Sequence, residues 1–210
     1  MNDEIIQGSP EWLALRAGKF TGSRFVALTA RNKKDPSKKL KAFDDAVWDA
    51  VVERMTGVPQ EGIDSYSLKW GKDAEPFARE SYELETGNRV TEVSFIQHPI
   101  FSFAGCSPDG LIGEDGGLEL KCPKDSAVHL DRFLLGVPEE YIPQIQGCMW
   151  ITGRQWWDFA SFDPRMPESH QLLVIRVARD EEFIKHLEAS VLEAEVQVNV
   201  LLEKLRRIAA

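Results

Sequence analysis

Apolar residues recur at three- and four-residue steps along several stretches of the chain, the spacing that gathers them on one face of a helix. In residues 41–56 the stripe is Phe43, Val47, Ala50, Val51 and Met55, and Gly57 stops it. Residues 67–86 place Trp70, Ala74, Phe77, Ala78 and Leu84 on one side, closed by Gly87. Residues 180–208, capped by Asp180, carry Val191, Val198, Leu201 and Leu202. Shorter helices are predicted as well. Ser9-Pro10-Glu11 supplies a cap, a proline at the first helical position and a first-turn acid for a helix to about Ala17, with Trp12 and Leu15 inward. Thr21 or Ser23 caps a second through Leu28, and Asp125 or Ser126 a third through Leu135. Pro138-Glu139-Glu140 opens a fourth, with Tyr141, Ile142, Ile145 and Met149 facing in.

Strands are predicted at 90–97 and 100–106, joined at His98-Pro99, and at 118–122, 155–162 and 171–177. Glu114 to Gly117 reads as the tight turn before the third of these, because glycine reaches positive φ without steric cost. The adjacent Trp156 and Trp157 point to opposite faces of their strand and read as packing residues. Residues 58–67 form a turn-rich connection. Helices, then strands, then helix, strands and helix make an α/β fold with a mixed central sheet. Its 210 residues fit one domain spanning 1–210.

Composition narrows the function. No apolar run approaches the ~20 residues that span a bilayer, and the first residues, MNDEIIQGSPEW, lack the basic and apolar regions of a signal peptide. Cys106, Cys122 and Cys148 are scattered without CxxC spacing, which argues for free thiols in a reducing compartment, the cytoplasm, and against a four-cysteine iron–sulfur site. The histidines (His98, His129, His170, His186) lack metal-ligand spacing and read as structural or exposed. There is no P-loop. The formal net charge of -9 confines any nucleic-acid contact to local basic zones. The densest such zone is residues 31–41, with Arg31, Lys33, Lys34, Lys38, Lys39 and Lys41 against Asp35. It reads either as a solvated loop or as a DNA-contact loop.

The chemistry concentrates in residues 107–123, SPDGLIGEDGGLELKCP. Ten residues after Asp109 comes Glu119, then Leu120 and Lys121. On a strand, Glu119 and Lys121 share one face while Leu118, Leu120 and Cys122 share the other. One face can pack on a core while the other lines a cleft with Asp109. Carboxylate oxygens are the preferred ligands of Mg²⁺, which binds through one or two carboxylates plus substrate phosphate. Lys121 is then placed to orient or deprotonate a water, or to neutralise charge on the phosphorane. That set suits phosphodiester hydrolysis.

The SPDG and LELKCP segments resemble the PD-(D/E)xK nucleases and, within them, the lambda-type exonucleases of phage recombination systems. The likeness extends through WLALRAGKFTGS (Trp12 to Ser23), WGKDAEPFAR (Trp70 to Arg79), YIPQIQGCMWIT (Tyr141 to Thr152) and FASFDPRM (Phe159 to Met166). It implies a restriction-endonuclease-like core and a Mg²⁺-dependent 5′→3′ exonuclease on double-stranded DNA ends, leaving 3′ single strands for strand annealing. Asp109, Glu119, the Leu120 carbonyl and Glu75 would hold the metal, two Mg²⁺ per site with Mn²⁺ able to substitute. Glu75, Asp109, Glu119, Lys121 and Gln144 would be catalytic, and Arg16, Ser23 and Ser107 would bind the 5′-phosphate. The family forms a trimeric ring around DNA, works beside a single-strand annealing protein, and comes from phage or prophage in a bacterial host. One feature departs from the prototype: an arginine shortly after Lys-Cys-Pro is replaced by Lys124-Asp125-Ser126-Ala127, leaving Lys124, His129 and Arg132 as nearby cations. The alternatives are an endonuclease of the same fold and a non-catalytic DNA-end-binding scaffold.

Overall fold

The computed structural model describes residues 5–32, 35, 38–60 and 66–209. Lys33, Lys34 and part of the 58–67 connection lie outside the described residues. In chain order the helices are α1 (Pro10–Arg16), α2 (Gly22–Thr29), α3 (Lys41–Thr56), α4 (Tyr66–Thr86), α5 (Ser126–Leu135), α6 (Ile142–Thr152) and α7 (Glu181–Ala209). The strands are β1 (Val90–Thr91), β2 (Ile96–Gln97), β3 (Gly105–Cys106), β4 (Gly110–Ile112), β5 (Gly116–Lys121), β6 (Trp156–Phe162) and β7 (Leu172–Ala178). The strongly periodic stretches became helices where the pattern placed them. Ser9 caps α1 by accepting from the Trp12 N–H, and α3 stops at Gly57, whose φ of 70° is left-handed.

Among the described residues the main sheet runs β1-β4-β5-β6-β7, with β2 and β3 paired separately. Only β5 and β6 pair in parallel; the other neighbours are antiparallel. A parallel pair needs a crossover, and here it passes through α5 and α6. One face of the sheet carries Trp157 and Phe159 into the larger core, with α2, α3, α6 and α7. The other carries Leu118, Leu120, Ala160 and Phe162 against Ala78 and Tyr82 of α4. A buried ion pair, Arg24 to Glu53 at 2.7 Å, ties α2 to α3. Glu53 also accepts from the Gly18 N–H at 2.7 Å, which fixes the link between α1 and α2.

The structure departs from the pattern in several places. The predicted strand at 90–97 shrinks to two two-residue strands, β1 and β2, and that at 100–106 to one, β3. His98 breaks the second stretch, because its Nδ1 accepts from the Ile100 and Phe101 N–H groups and turns the chain. The hairpin turn falls earlier than 114–117, at residues 113–115, and opens on Gly113 with φ 51°. Gly116 and Gly117 are strand residues that lie beside Trp156 and Trp157 in register. A Cβ on Gly116 would stand 2.1 Å from the Trp156 ring, and one on Gly117 2.2 Å from the Trp157 ring. The glycine pair is thus there for the tryptophan pair, and the tryptophans do occupy opposite faces. On α4 the buried stripe is Ala74, Ala78 and Tyr82, whereas Phe77 and Leu84 are exposed, as is Met55 on α3. Alternate four-residue steps decided the face, and Tyr82 is drawn inward by its 2.7 Å bond to the buried Asp158. α1 buries no residue fully, so Trp12 and Leu15 are only half-buried. Thr21 occupies the cap position of α2 but makes no capping bond, nor does Ser23 cap it.

Gly117→Ala should destabilise the fold by about 2–3 kcal/mol, the cost of overpacking a core. Gly116→Ala should cost less, because Trp156 is only half-buried and can shift while Trp157 is fully buried. Urea unfolding of both variants checks the order; equal losses would refute the argument.

Candidate active site

The site is built at one end of β5. The β4 ladder reaches only to Gly110, opposite Leu118, and the Pro108 carbonyl accepts from the Gln7 side chain instead of from β5. The Leu120 N–H is therefore left over, and Asp109 Oδ2 accepts it at 2.6 Å. Alternation along β5 sends Leu118 and Leu120 into the α4 core and turns Glu119 and Lys121 to the other face. There Glu119, 1% exposed, meets Lys121, whose Nζ donates to Oε1. Gln144, in the first turn of α6, donates to the same oxygen at 2.5 Å. Gly22 lets α2 close on Gln144, since a Cβ there would stand 3.0 Å from the Gln144 Cγ. The second oxygen, Oε2, is buried and has no hydrogen-bond partner.

Burial pushes the Glu119 carboxyl up to about 7; Lys121 and Gln144 pull against that rise and Asp109 adds to it. Burial likewise raises Asp109, against the pull of Lys121 and of the Leu120 N–H. Burial alone would lower Lys121, but Glu119 and Asp109 outweigh it and hold the ammonium above its ordinary value. The neighbouring Cys122 thiol is pushed up to about 12 by burial, with Glu75 and Asp109 adding to it, so it stays protonated and is no nucleophile. Glu75 is raised by burial and by Asp109. It stands on α4, across β5 from Glu119, and pairs with Arg79 at 2.9 Å. Among the described residues no three His, Cys, Asp or Glu side chains converge on one point. The structure thus brings Asp109, Glu119, Lys121 and Gln144 together and leaves Glu75 at the margin. Two carboxylates with a buried, unpartnered oxygen still fit a hard divalent cation, which takes its remaining ligands from water and phosphate.

A second group lies next to Asp109. Arg16 stacks on Trp12, 4.2 Å from the ring centroid. It donates to Ser107 at 3.3 Å and to Thr21 at 3.2 Å. The Thr21 and Ser23 hydroxyls lie 3.4 Å apart, and the Trp12 indole donates to Ser107 at 3.0 Å. Arg16, Ser23 and Ser107 are therefore assembled as one cluster. Sequence reasoning missed Thr21, whose hydroxyl serves Arg16 instead of the helix, and Trp12, which is the stacking surface.

The described cations of the basic loop have partners within the chain. Arg31 donates to Ser190 on α7 and to the Leu28 and Ala30 carbonyls. Lys39 pairs with Glu193 of α7 and lies over Phe43, and Lys41 pairs with Asp45. Lys38 is exposed, 3.6 Å from Asp35. Of the cations after Lys-Cys-Pro, His129 and Arg132 are buried, both bonded to Ser161. Lys124 is exposed. Arg165 lies beside it, donating to the Lys124 carbonyl at 2.8 Å and lining a shallow hollow with Pro123, Ser126 and Val128. No spacing signal could have linked Arg165 to that hollow.

The five-strand mixed sheet flanked by helices is of the restriction-endonuclease-like fold, as in solved exonucleases. An alkaline exonuclease from Laribacter hongkongensis, LHK-Exo, superposes with a TM-score of 0.86 and 37% identity over 96% of this chain and 98% of that one. The same enzyme in complex with dAMP gives 0.86 and 36% over the same shares, 96% and 98%. A phage related exonuclease from Haemophilus somnus 129PT shares the fold at a TM-score of 0.74 and 16% identity, over 89% of this chain and 96% of that one. Residues 11–155 match the YqaJ-like viral recombinase domain, and the chain belongs to that family. No curated protein sequence matches it. No helix among the described residues is long and apolar enough to cross a membrane.

The raised Glu119 carboxyl has a measurable consequence in metal-free protein. The unfolded glutamate ionises near 4.5 and the folded one near about 7. Below the first value both states are protonated and nothing is lost. Between the two the unfolded state releases its proton first, so stability falls as pH rises. Glu119→Gln should therefore stabilise the protein in EDTA by roughly 1–3 kcal/mol at pH 8 and by nothing near pH 4. Denaturant unfolding at both pH values checks it; a pH-independent difference would contradict it.

Proposed function

We propose that this chain is a Mg²⁺-dependent exonuclease that digests double-stranded DNA from 5′ ends and leaves 3′ single strands for recombination. The observation that carries the reading is Glu119: buried, with one oxygen held by Lys121 and Gln144 and the other without a partner, beside Asp109. Asp109, Glu119 and the Leu120 carbonyl would hold one Mg²⁺, with Glu75 serving a second. Such ions, or Mn²⁺ in their place, polarise a phosphoryl oxygen and lower the pKa of bound water.

The chain's own residues do the rest. Gln144 fixes the Glu119 carboxylate and leaves an amide hydrogen for water or phosphate. Lys121, held protonated by Glu119 and Asp109, neutralises charge on the phosphorane. Once the charge of those carboxylates is compensated, its pKa falls, and after releasing its own proton to solvent the neutral amine would be placed to take one from the attacking water. Arg16, kept flat on Trp12, presents a guanidinium flanked by the Thr21, Ser23 and Ser107 hydroxyls. That is a fitting receptor for a terminal phosphate dianion. It lies beside the catalytic Asp109 because Ser107 is two residues away. The relatives support the class: LHK-Exo is an alkaline exonuclease, and its complex holds dAMP, a mononucleotide. We extend the reading to a single nuclease domain over 1–210, to a ring of three copies enclosing DNA and to a single-strand annealing partner. The lambda-type likeness supports these, as does a net charge of -9 that leaves DNA binding to local cations.

The deciding assay offers 5′-phosphorylated linear duplex and closed circular duplex with Mg²⁺ or with EDTA. Digestion of the linear form alone, abolished by EDTA, is expected. Nicking of the circle would select an endonuclease, and no cleavage a scaffold. Asp109→Asn and Glu119→Gln should abolish cleavage while DNA binding survives, and Lys121→Ala should lower turnover about 10²-fold or more.

The 5′ polarity has its own test. Wild type should digest 5′-phosphorylated ends faster than 5′-hydroxyl ends, and Arg16→Ala should remove most of that preference. An equal slowing of both ends would make Arg16 a structural residue.

A further inference from the structure

Arg79 lies at the acidic margin of the site and has no part in the reading above. It pairs with Glu75, one helical turn before it, at 2.9 Å, and with Glu92, just past β1, at 2.9 Å. The Arg79 side chain is 16% exposed, between Glu75 at 35% and Glu92 at 69%. Its Nε is buried without a hydrogen-bond partner. A guanidinium keeps its charge at any working pH, so Arg79 competes with any other cation for the Glu75 carboxylate. Glu75 is near enough to Asp109 and Lys121 to feel their charges, yet its carboxylate does not join Asp109 and Glu119 in one cluster.

We propose that Arg79 is a built-in counter-ion that holds Glu75 off the Asp109–Glu119 pair, and that Glu92 retains Arg79 when Glu75 turns to a divalent cation. The exchange keeps both ends satisfied. Without the cation, Glu75 has a positive partner and does not add its charge to two crowded carboxylates. With it, Arg79 falls back on Glu92 and is not left as a half-buried charge without a partner, the costly arrangement. The arrangement makes Arg79 and Glu92 positioning residues whose effect appears in cation affinity before any DNA is present. The inference rests on the reading of Asp109 and Glu119 as the cation site.

The test is titration of the full chain with Mn²⁺ alone, free Mn²⁺ being read by electron paramagnetic resonance. Arg79→Gln removes the competitor and should tighten binding, by about threefold to tenfold for one partly solvated charge. Glu92→Gln should weaken it, because Arg79 then keeps hold of Glu75. In the Arg79→Gln background, Glu92→Gln should have no further effect, the sign of coupling in a double-mutant cycle. Weaker or unchanged binding by Arg79→Gln overturns the proposal, and so does a Glu92→Gln effect that persists without Arg79. If Arg79→Gln fails to fold, the exposed Glu92→Gln decides alone, and unchanged affinity there overturns it. Asp109→Asn separates the two levels. If it abolishes Mn²⁺ binding while the Arg79 and Glu92 variants bind as wild type, the cation site stands and the counter-ion role falls. If wild type binds no Mn²⁺, both fall.

Discussion

The parallel pairing of β5 with β6 is the constraint on which the rest depends. It sets Gly116 and Gly117 beside Trp156 and Trp157, so the register is locked by ring against bare backbone. A slip of one residue would bring a Cβ into a tryptophan and would also turn Glu119 into the α4 core. The crossover that parallel pairing demands is the α5–α6 connection, and α6 is the helix that brings Gln144 to Glu119. Fold and chemistry are therefore joined at one pair of strands. The leucines on one face of β5 anchor the strand that turns a carboxylate and an ammonium group to the other.

The electrostatics of the site follow from that anchoring. Glu119 is carried inside by its strand neighbours whatever its own preference for water. Two donors meet one of its oxygens and none meets the other. A buried carboxylate in that state costs folding free energy, which argues for a partner supplied from outside. Around the site, cations are paired locally: Arg79 with Glu75 and Glu92, Lys121 with Glu119, and Lys39 with Glu193. That economy suits an acidic protein. Arg16 is held on an aromatic ring and among hydroxyls, by Trp12, Thr21 and Ser107.

Much of this was legible in the sequence, and the reasons differ by element. The helices at 41–56 and 180–208 repeat their apolar residues over several turns, so local periodicity reports them, whereas the one at 126–135 was legible from its capping residue. The hairpin's chemistry was legible because strand alternation is strict: Glu119 and Lys121 must share a face once Leu118 and Leu120 share the other. The nuclease class came from several separated motifs in a fixed order, each weak alone. The short strands near 90–106 were not legible, since two-residue pairs carry no period and His98 interrupts them. Tyr82 was left off the buried stripe of α4, and the exposed Phe77 was put on it, because the depth of burial there depends on Asp158, a residue far along the chain.

By itself, then, the sequence determined which residue types stand at the site, the secondary structure that presents them and the family to which they belong. Those follow from interactions between near neighbours, where spacing is information. The tertiary structure alone decided which of them meet. It brought Gln144 to Glu119, gathered Trp12, Thr21 and Ser107 around Arg16, and bound Arg31 and Lys39 to α7. It also brought Glu92 to Arg79, beside the helix neighbour Glu75. Such meetings join residues far apart in the chain or depend on competition between partners for one charge. Packing of the whole domain settles that competition, and no local pattern records it.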